Sequence, residues 1–142
     1  MARSKNTQFA VAVHVLTYLA GQPEGRTVSS DELAETTNTN PVYVRRVLGP
    51  LRDAGLVRSR PGAHGGSELA LAAREITLAR VWRLLQGTDP VLGLHGPNPE
   101  CPVGRGVQET LTAVDGNVAD AVEAELGRFT VHDVLAHHLE QR

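Results

Sequence analysis

"NTNPVYVRRVLGPLRDAGLV", residues 38–57, decides the fold. The Asn40 side chain can accept from N–H groups of a first helical turn, and Pro41 follows where a missing N–H costs nothing, so a helix is predicted to start here. Val44, Val47, Leu48 and Leu51 recur at i, i+3, i+4 and i+7, which puts them on one buried face of a helix running from about Pro41 to Ala54. Val42, Tyr43, Arg45, Arg46, Arg52 and Asp53 are left to its other faces, and Gly55 stops it.

Upstream, Ser29 and Glu32 in "SSDELAE" have the spacing of a capping box and open a short helix that ends in "TTNTN". Before it, "FAVAVHVLTYLA" (9–20) reads as a helix apolar on most sides, ended by "GQPEG". Downstream, "LVRSR" and "SELAL" are short extended runs joined by the glycine-rich "PGAHGG", which predicts a hairpin. Helix, helix, turn, helix, hairpin is the order of a winged helix-turn-helix, so the expected class is mainly α with a two-stranded wing.

The remainder reads as helical. "TLARVWRLLQ" (77–86) is followed by a Gly/Pro-rich loop (87–102) and a long helix from 103 to about 126, on which Val107, Leu111, Val114, Val118 and Val122 form an apolar stripe that needs a partner. Gly116 can kink or split that helix. A last helix, "TVHDVLAHHLEQ", is opened by Thr130 with Asp133 three residues on. The expected organisation is a DNA-binding domain over 1–86, a connecting loop over 87–102, and a dimerisation helix with the C-terminal helix over 103–142.

At 142 residues the chain is long enough for a true core. A lone cysteine cannot form an internal disulfide, no charged-then-apolar leader opens the chain, and residues 9–20 are too short to cross a bilayer. A cytoplasmic protein without a membrane partner is expected. Net charge is -2, but residues 1–66 carry eight Lys/Arg against five Asp/Glu and residues 67–142 carry six against eleven. Between Thr36 and Ser67 stand five arginines and one acid, Asp53. That basic stretch coincides with the third helix and the hairpin, where phosphates would lie. A helix fills the major groove and its N-terminal residues reach base edges first. The expected DNA-facing set is Ser30, Thr39, Asn40, Pro41, Val42, Tyr43, Arg45, Arg46 and Arg52, with Arg60, His64 and Gly65 in the wing. "GAHGG" lacks the Lys-Ser/Thr ending of a nucleotide-binding P-loop, and no base or oxyanion signature accompanies the cysteine, so catalysis is not expected.

"AVAVHVLTYLA", the stretch from Asn38 to Val57, "GAHGGSELALA", "EITLARVWRLLQG" and "PNPECPVG" together resemble the Rrf-type winged-helix transcription regulators over nearly the whole chain. The resemblance implies a homodimeric repressor whose long helices cross and place two winged domains on a palindromic operator, with half-sites about 34 Å apart. It puts base reading on Val42, Arg45 and Arg46 with Tyr43 nearby, and the wing arginine on Arg60, although Pro61 stands where relatives often carry a basic residue. The function from another class is a winged-helix interaction module without a specific operator, binding a partner protein through the acidic C-terminal half.

Iron–sulfur members of the family present three cysteines ahead of the dimerisation helix, whereas this chain has Cys101 alone, so three thiolates per subunit are excluded by counting. No cofactor is expected. The alternative is a metal or iron–sulfur cluster with mixed ligands shared across a dimer, with Cys101 and His14 as candidates. If the long helix begins at Pro102, Cys101 is its N-cap, where free N–H groups and the helix dipole favour an anion and make the sulfur easier to oxidise. A thiol switch, a ligand and a plain cap all remain open. His14, inside an apolar run, reads as a hydrogen-bonded core residue, and His132, His137 and His138 as part of a solvated helix.

Overall fold

The computed structural model describes residues 5–141; residues 1–4 and 142, the outermost parts of the expected domain ranges, lie outside the described residues. Six α-helices and one hairpin follow in the order α1 (Lys5–Ala20), α2 (Ser30–Thr37), α3 (Pro41–Asp53), β1 (Val57–Arg60), β2 (Gly66–Leu69), α4 (Leu78–Gln86), α5 (Pro102–Leu126) and α6 (Val131–Glu140), with a 3-10 turn at Ala73–Glu75. The winged helix-turn-helix and the long C-terminal helix expected from the sequence are both present.

In α1, Val11, Ala12, Val15, Leu16 and Leu19 fall on one stripe and are buried. They meet Leu33 and Ala34 of α2 and Val44, Val47, Leu48 and Leu51 of α3 in a single core. Local chemistry starts each helix as expected. Ser29 Oγ accepts from Glu32 N–H at 3.1 Å, and Asn40 Oδ1 accepts from Tyr43 N–H at 2.9 Å. The capping box at Ser29 is only half made, because the Glu32 carboxylate turns to Arg26 and to the Tyr18 hydroxyl, which donates at 2.7 Å. Those donors hold the Glu32 carboxyl below the usual carboxylate range, Arg26 contributing most. Asn38 closes α2 in the left-handed region at φ 53°, which permits the tight turn into α3. Pro50 lies inside α3, where it removes one intrahelical donor near the end, and the helix still runs to Asp53.

The wing is tied to the body by backbone. Val28 N–H donates to Ser67 O at 2.9 Å and Ser67 N–H returns the bond at 2.8 Å, an isolated bridge alongside the β1–β2 pairing. That approach leaves no room at Gly66, where an added Cβ would stand 2.5 Å from the Val28 carbonyl oxygen.

The last two helices pack differently. α5 projects from the body, but α6 returns to it. Val131 is fully buried, its N–H donates to Ile76 O at 2.9 Å, and Leu78 N–H donates to Phe129 O at 2.9 Å. α6 then packs along α1, with its Leu135 against Gly21. The reason is that Val131 completes the core beside Ile76, so residues 130–140 belong with the winged body and not with the arm. Gly116 does not split α5, which is one helix of 25 residues.

Gly66→Ala is expected to lower stability by about 1–3 kcal/mol, since a backbone atom and not a flexible side chain opposes the new methyl. Gly49→Ala, in α3 with nothing near the added atom, should be neutral or stabilising by up to about 1 kcal/mol. Thermal unfolding of the two variants side by side checks both.

Candidate nucleic-acid interface

The inner face of α3 is consumed by the core, and that decides what its outer face shows. Val42 is 63% exposed, and Arg45 and Arg46 are exposed at i+3 and i+4 from it, so the three share one outward strip. The Thr37 hydroxyl donates to Leu33 O at 2.7 Å, so in its 2.8 Å contact with Thr39 the Thr39 hydroxyl is the donor. Asn40 spends its side-chain oxygen on the cap, and Ser30 is half-buried at the first position of α2.

Tyr43 is the correction on this helix. Expected on an outward face beside the base-reading residues, it is 8% exposed and belongs to the core. Its position next to Val44 and one turn before Val47 turns the ring inward, where a large aromatic gains more than it would in water.

In the wing, β1 and β2 pair antiparallel with Arg58 opposite Glu68 and Arg60 opposite Gly66. Gly65 is demanded by the hairpin itself, since a Cβ there would lie 2.0 Å from Arg60 O, and this structural need stands beside any approach to a phosphate. His64 is exposed, and its carbonyl accepts from the Thr27 hydroxyl at 3.1 Å. Arg52 is exposed and donates across to Ser59 Oγ at 2.9 Å, which orients it beside the wing.

Glu68 escaped the sequence reading because the basic stretch was bounded at Ser67. It is 7% exposed and accepts from Arg58 at 2.9 Å and from Arg60 at 3.0 Å. The Arg58 guanidinium, aided by Arg60, holds its carboxyl below the usual carboxylate range. Glu68 therefore stays charged at neutral pH and offsets part of the positive field of the two wing arginines. The sequence located both strands, but which residue faces Arg58 depends on their register, and that only the paired hairpin shows.

Cys101 is the N-cap of α5, as expected, and its Sγ accepts from Gly104 N–H at 3.4 Å. Pro97 packs back on Gly104 and Arg105 donates to Pro99 O at 2.9 Å, so "PNPECPVG" is a closed turn at the root of the arm. His14 is corrected: it is exposed on α1, not in the core, with Nε2 3.3 Å from the Thr36 hydroxyl. It lines a groove of about 490 Å³ with Tyr18, Leu135 and His138.

This fold, with a guanidinium-bearing helix presented beside a two-stranded wing, defines a winged helix-turn-helix DNA-binding protein. Residues 5–137 match the Rrf2 family, described as an iron-dependent transcriptional regulator, and the chain belongs to that family. YwnA of Bacillus subtilis, described as an HTH-type transcriptional regulator, is 36% identical over 133 residues, covering 93% of this chain and 97% of that one. A crystal structure of a transcriptional regulator from Lactobacillus plantarum superposes with a TM-score of 0.76 at 30% identity, over 91% of this chain and 87% of that one. Staphylococcus aureus CymR, crystallised in an oxidised form, superposes with a TM-score of 0.65 at 28% identity, over 95% and 96%. The protein is a DNA-binding transcription regulator and not an enzyme. Among the described residues no helix is long and apolar enough to cross a membrane.

The donor set does not fit the iron named in the family's description within one subunit. The single thiol is engaged as a helix cap, and among the described residues no three His, Cys, Asp or Glu side chains converge as a metal site. No step is derived through iron.

Glu68→Gln should raise affinity for non-specific duplex DNA and steepen its salt dependence by about one to two in slope, because Arg58 and Arg60 become free to release counterions. The Glu68 contribution to stability is present above the ordinary glutamate range and is lost as pH falls through the lowered value, so the variant should lack that part of the acid unfolding limb. Salt titrations of binding and pH-dependent melts check the two halves.

Proposed function

We propose that the protein is a homodimeric repressor that occupies a palindromic operator, with α3 in the major groove of each half-site, the wing beside it, and Cys101 as the group through which a thiol-directed signal acts. The observation that carries the reading is the division of α3 into a buried apolar face and an outward Val42, Arg45 and Arg46 strip.

Pairing rests on α5. None of its residues is buried, Val103 is 75% exposed, and Val107 and Val114 stay open on the same stripe. A second α5 laid on that stripe removes it from water, and two-fold pairing turns two equal reading heads toward a palindrome. Occupying the operator is enough to repress, since no further chemistry is asked of the chain. The thiol part is supported by position: Cys101 caps the arm, so a change in its sulfur alters the start of α5. The oxidised form of Staphylococcus aureus CymR shows that a relative with this fold is met in more than one redox state.

The test is selection of bound sequences from a random duplex library, followed by footprinting with the anaerobically purified protein reduced, oxidised and as Cys101→Ser. A palindromic footprint from a dimer is expected, with binding that changes on oxidation in the wild type and not in the serine variant. Identical footprints in all three remove Cys101 from the reading, and iron with a visible absorbance points to a mixed-ligand cluster instead. Binding without sequence preference favours the interaction module. Arg45→Ala should lose discrimination at a few base positions, by about 1–3 kcal/mol, with an unchanged melt. Val107→Asp in α5 should shift the sedimenting species to the monomer and weaken operator binding.

A further inference from the structure

Among the described residues the large apolar side chains left exposed are Val42, Val103, Val107, Val114, Phe129 and Leu139. Three of them lie on α5, Phe129 just precedes α6 and Leu139 lies near its end; Val42 alone stands on α3. It is also held still. Asn40 caps the helix through Tyr43 N–H, Pro41 sets the backbone immediately before Val42, Tyr43 is anchored in the core immediately after, and a β-branched side chain in a helix has one strongly preferred rotamer. The result is a rigid apolar knob at the tip of α3, on the strip shared with Arg45 and Arg46.

Resting on the reading that α3 enters the major groove, we propose that Val42 reads the 5-methyl group of a thymine one or two base steps from the base addressed by Arg45 or Arg46. Four kinds of base edge line the groove, and only thymine presents a methyl; the rest are hydrogen-bond donors and acceptors. A valine set against a donor or acceptor strips it of water and returns nothing, whereas against a methyl it buries apolar area on both sides. Val42 therefore selects for thymine and against cytosine at that step. The spacing follows from geometry: residues three or four apart on a helix are about 4.5–6 Å apart along its axis, and base steps are about 3.4 Å.

The experiment uses the full-length protein and its selected operator, with each thymine replaced in turn by deoxyuridine, which removes the methyl and nothing else. One position per half-site is expected to lose about three- to tenfold in affinity, less than the loss of a bidentate arginine contact. Val42→Ala should bind the thymine operator that much more weakly and be indifferent to deoxyuridine at the same position, with an unchanged melt because the side chain makes no core contact. Indifference of the wild type to every replacement overturns the inference, as does a penalty that persists unaltered in Val42→Ala. Failure of the underlying reading looks different: no sequence preference at all, or a preference that Arg45→Ala leaves intact, overturns the groove assignment and this inference with it.

Discussion

Burial of one face of α3 is the constraint on which the remaining structure depends. Val44, Val47, Leu48 and Leu51 are all nearly or wholly removed from water, and α1, α2, β1 and α4 each contact the helix that carries them. Four such side chains, at roughly 1.5–3 kcal/mol each for full burial, leave α3 no freedom to rotate about its axis. A rotation of one residue would sink Arg45 or Arg46 into the core, where an unpaired charge costs far more than any valine gains. The orientation of the reading face is thus a by-product of packing.

The wing answers to a different balance. Its position is set by backbone hydrogen bonds to Val28 and by glycines that permit contact closer than a Cβ allows. Its charge is set by Glu68, which shares its carboxylate between Arg58 and Arg60. The side chains of both arginines are more than half exposed, so the pairs contribute little to stability in water. What they change is electrostatic: Glu68 neutralises part of the field of two guanidinium groups, so any phosphate brought to the wing has to compete with it for them.

α5 stands apart from this economy of burial. It is fastened at its root by the turn around Cys101, near its middle by Asp115, which accepts from Leu92 N–H at 2.6 Å, and towards its end by Arg83 and Glu123 at 3.0 Å. These are polar fastenings on a helix whose apolar stripe is open, an arrangement that positions an arm without satisfying it. At its root the sulfur of Cys101 serves as a helix cap, and among the described residues no three potential metal ligands converge within one subunit.

The sequence by itself determined the helices, their caps, the hairpin, the outward placing of Val42, Arg45 and Arg46, and the position of Cys101 at the head of α5, because each follows from spacing and from neighbours within four residues. Only the tertiary structure decided the rest. Tyr43 turned inward because the core had room for a ring, which periodicity around one helix cannot report. His14 emerged on the solvent side of a helix that reads as apolar all round, since the core takes only one stripe of it. Glu68 was claimed by two arginines through strand register. α6 folded back because Val131 finds its burial beside Ile76, fifty-five positions earlier in the chain, and contacts at that separation leave no mark on local pattern.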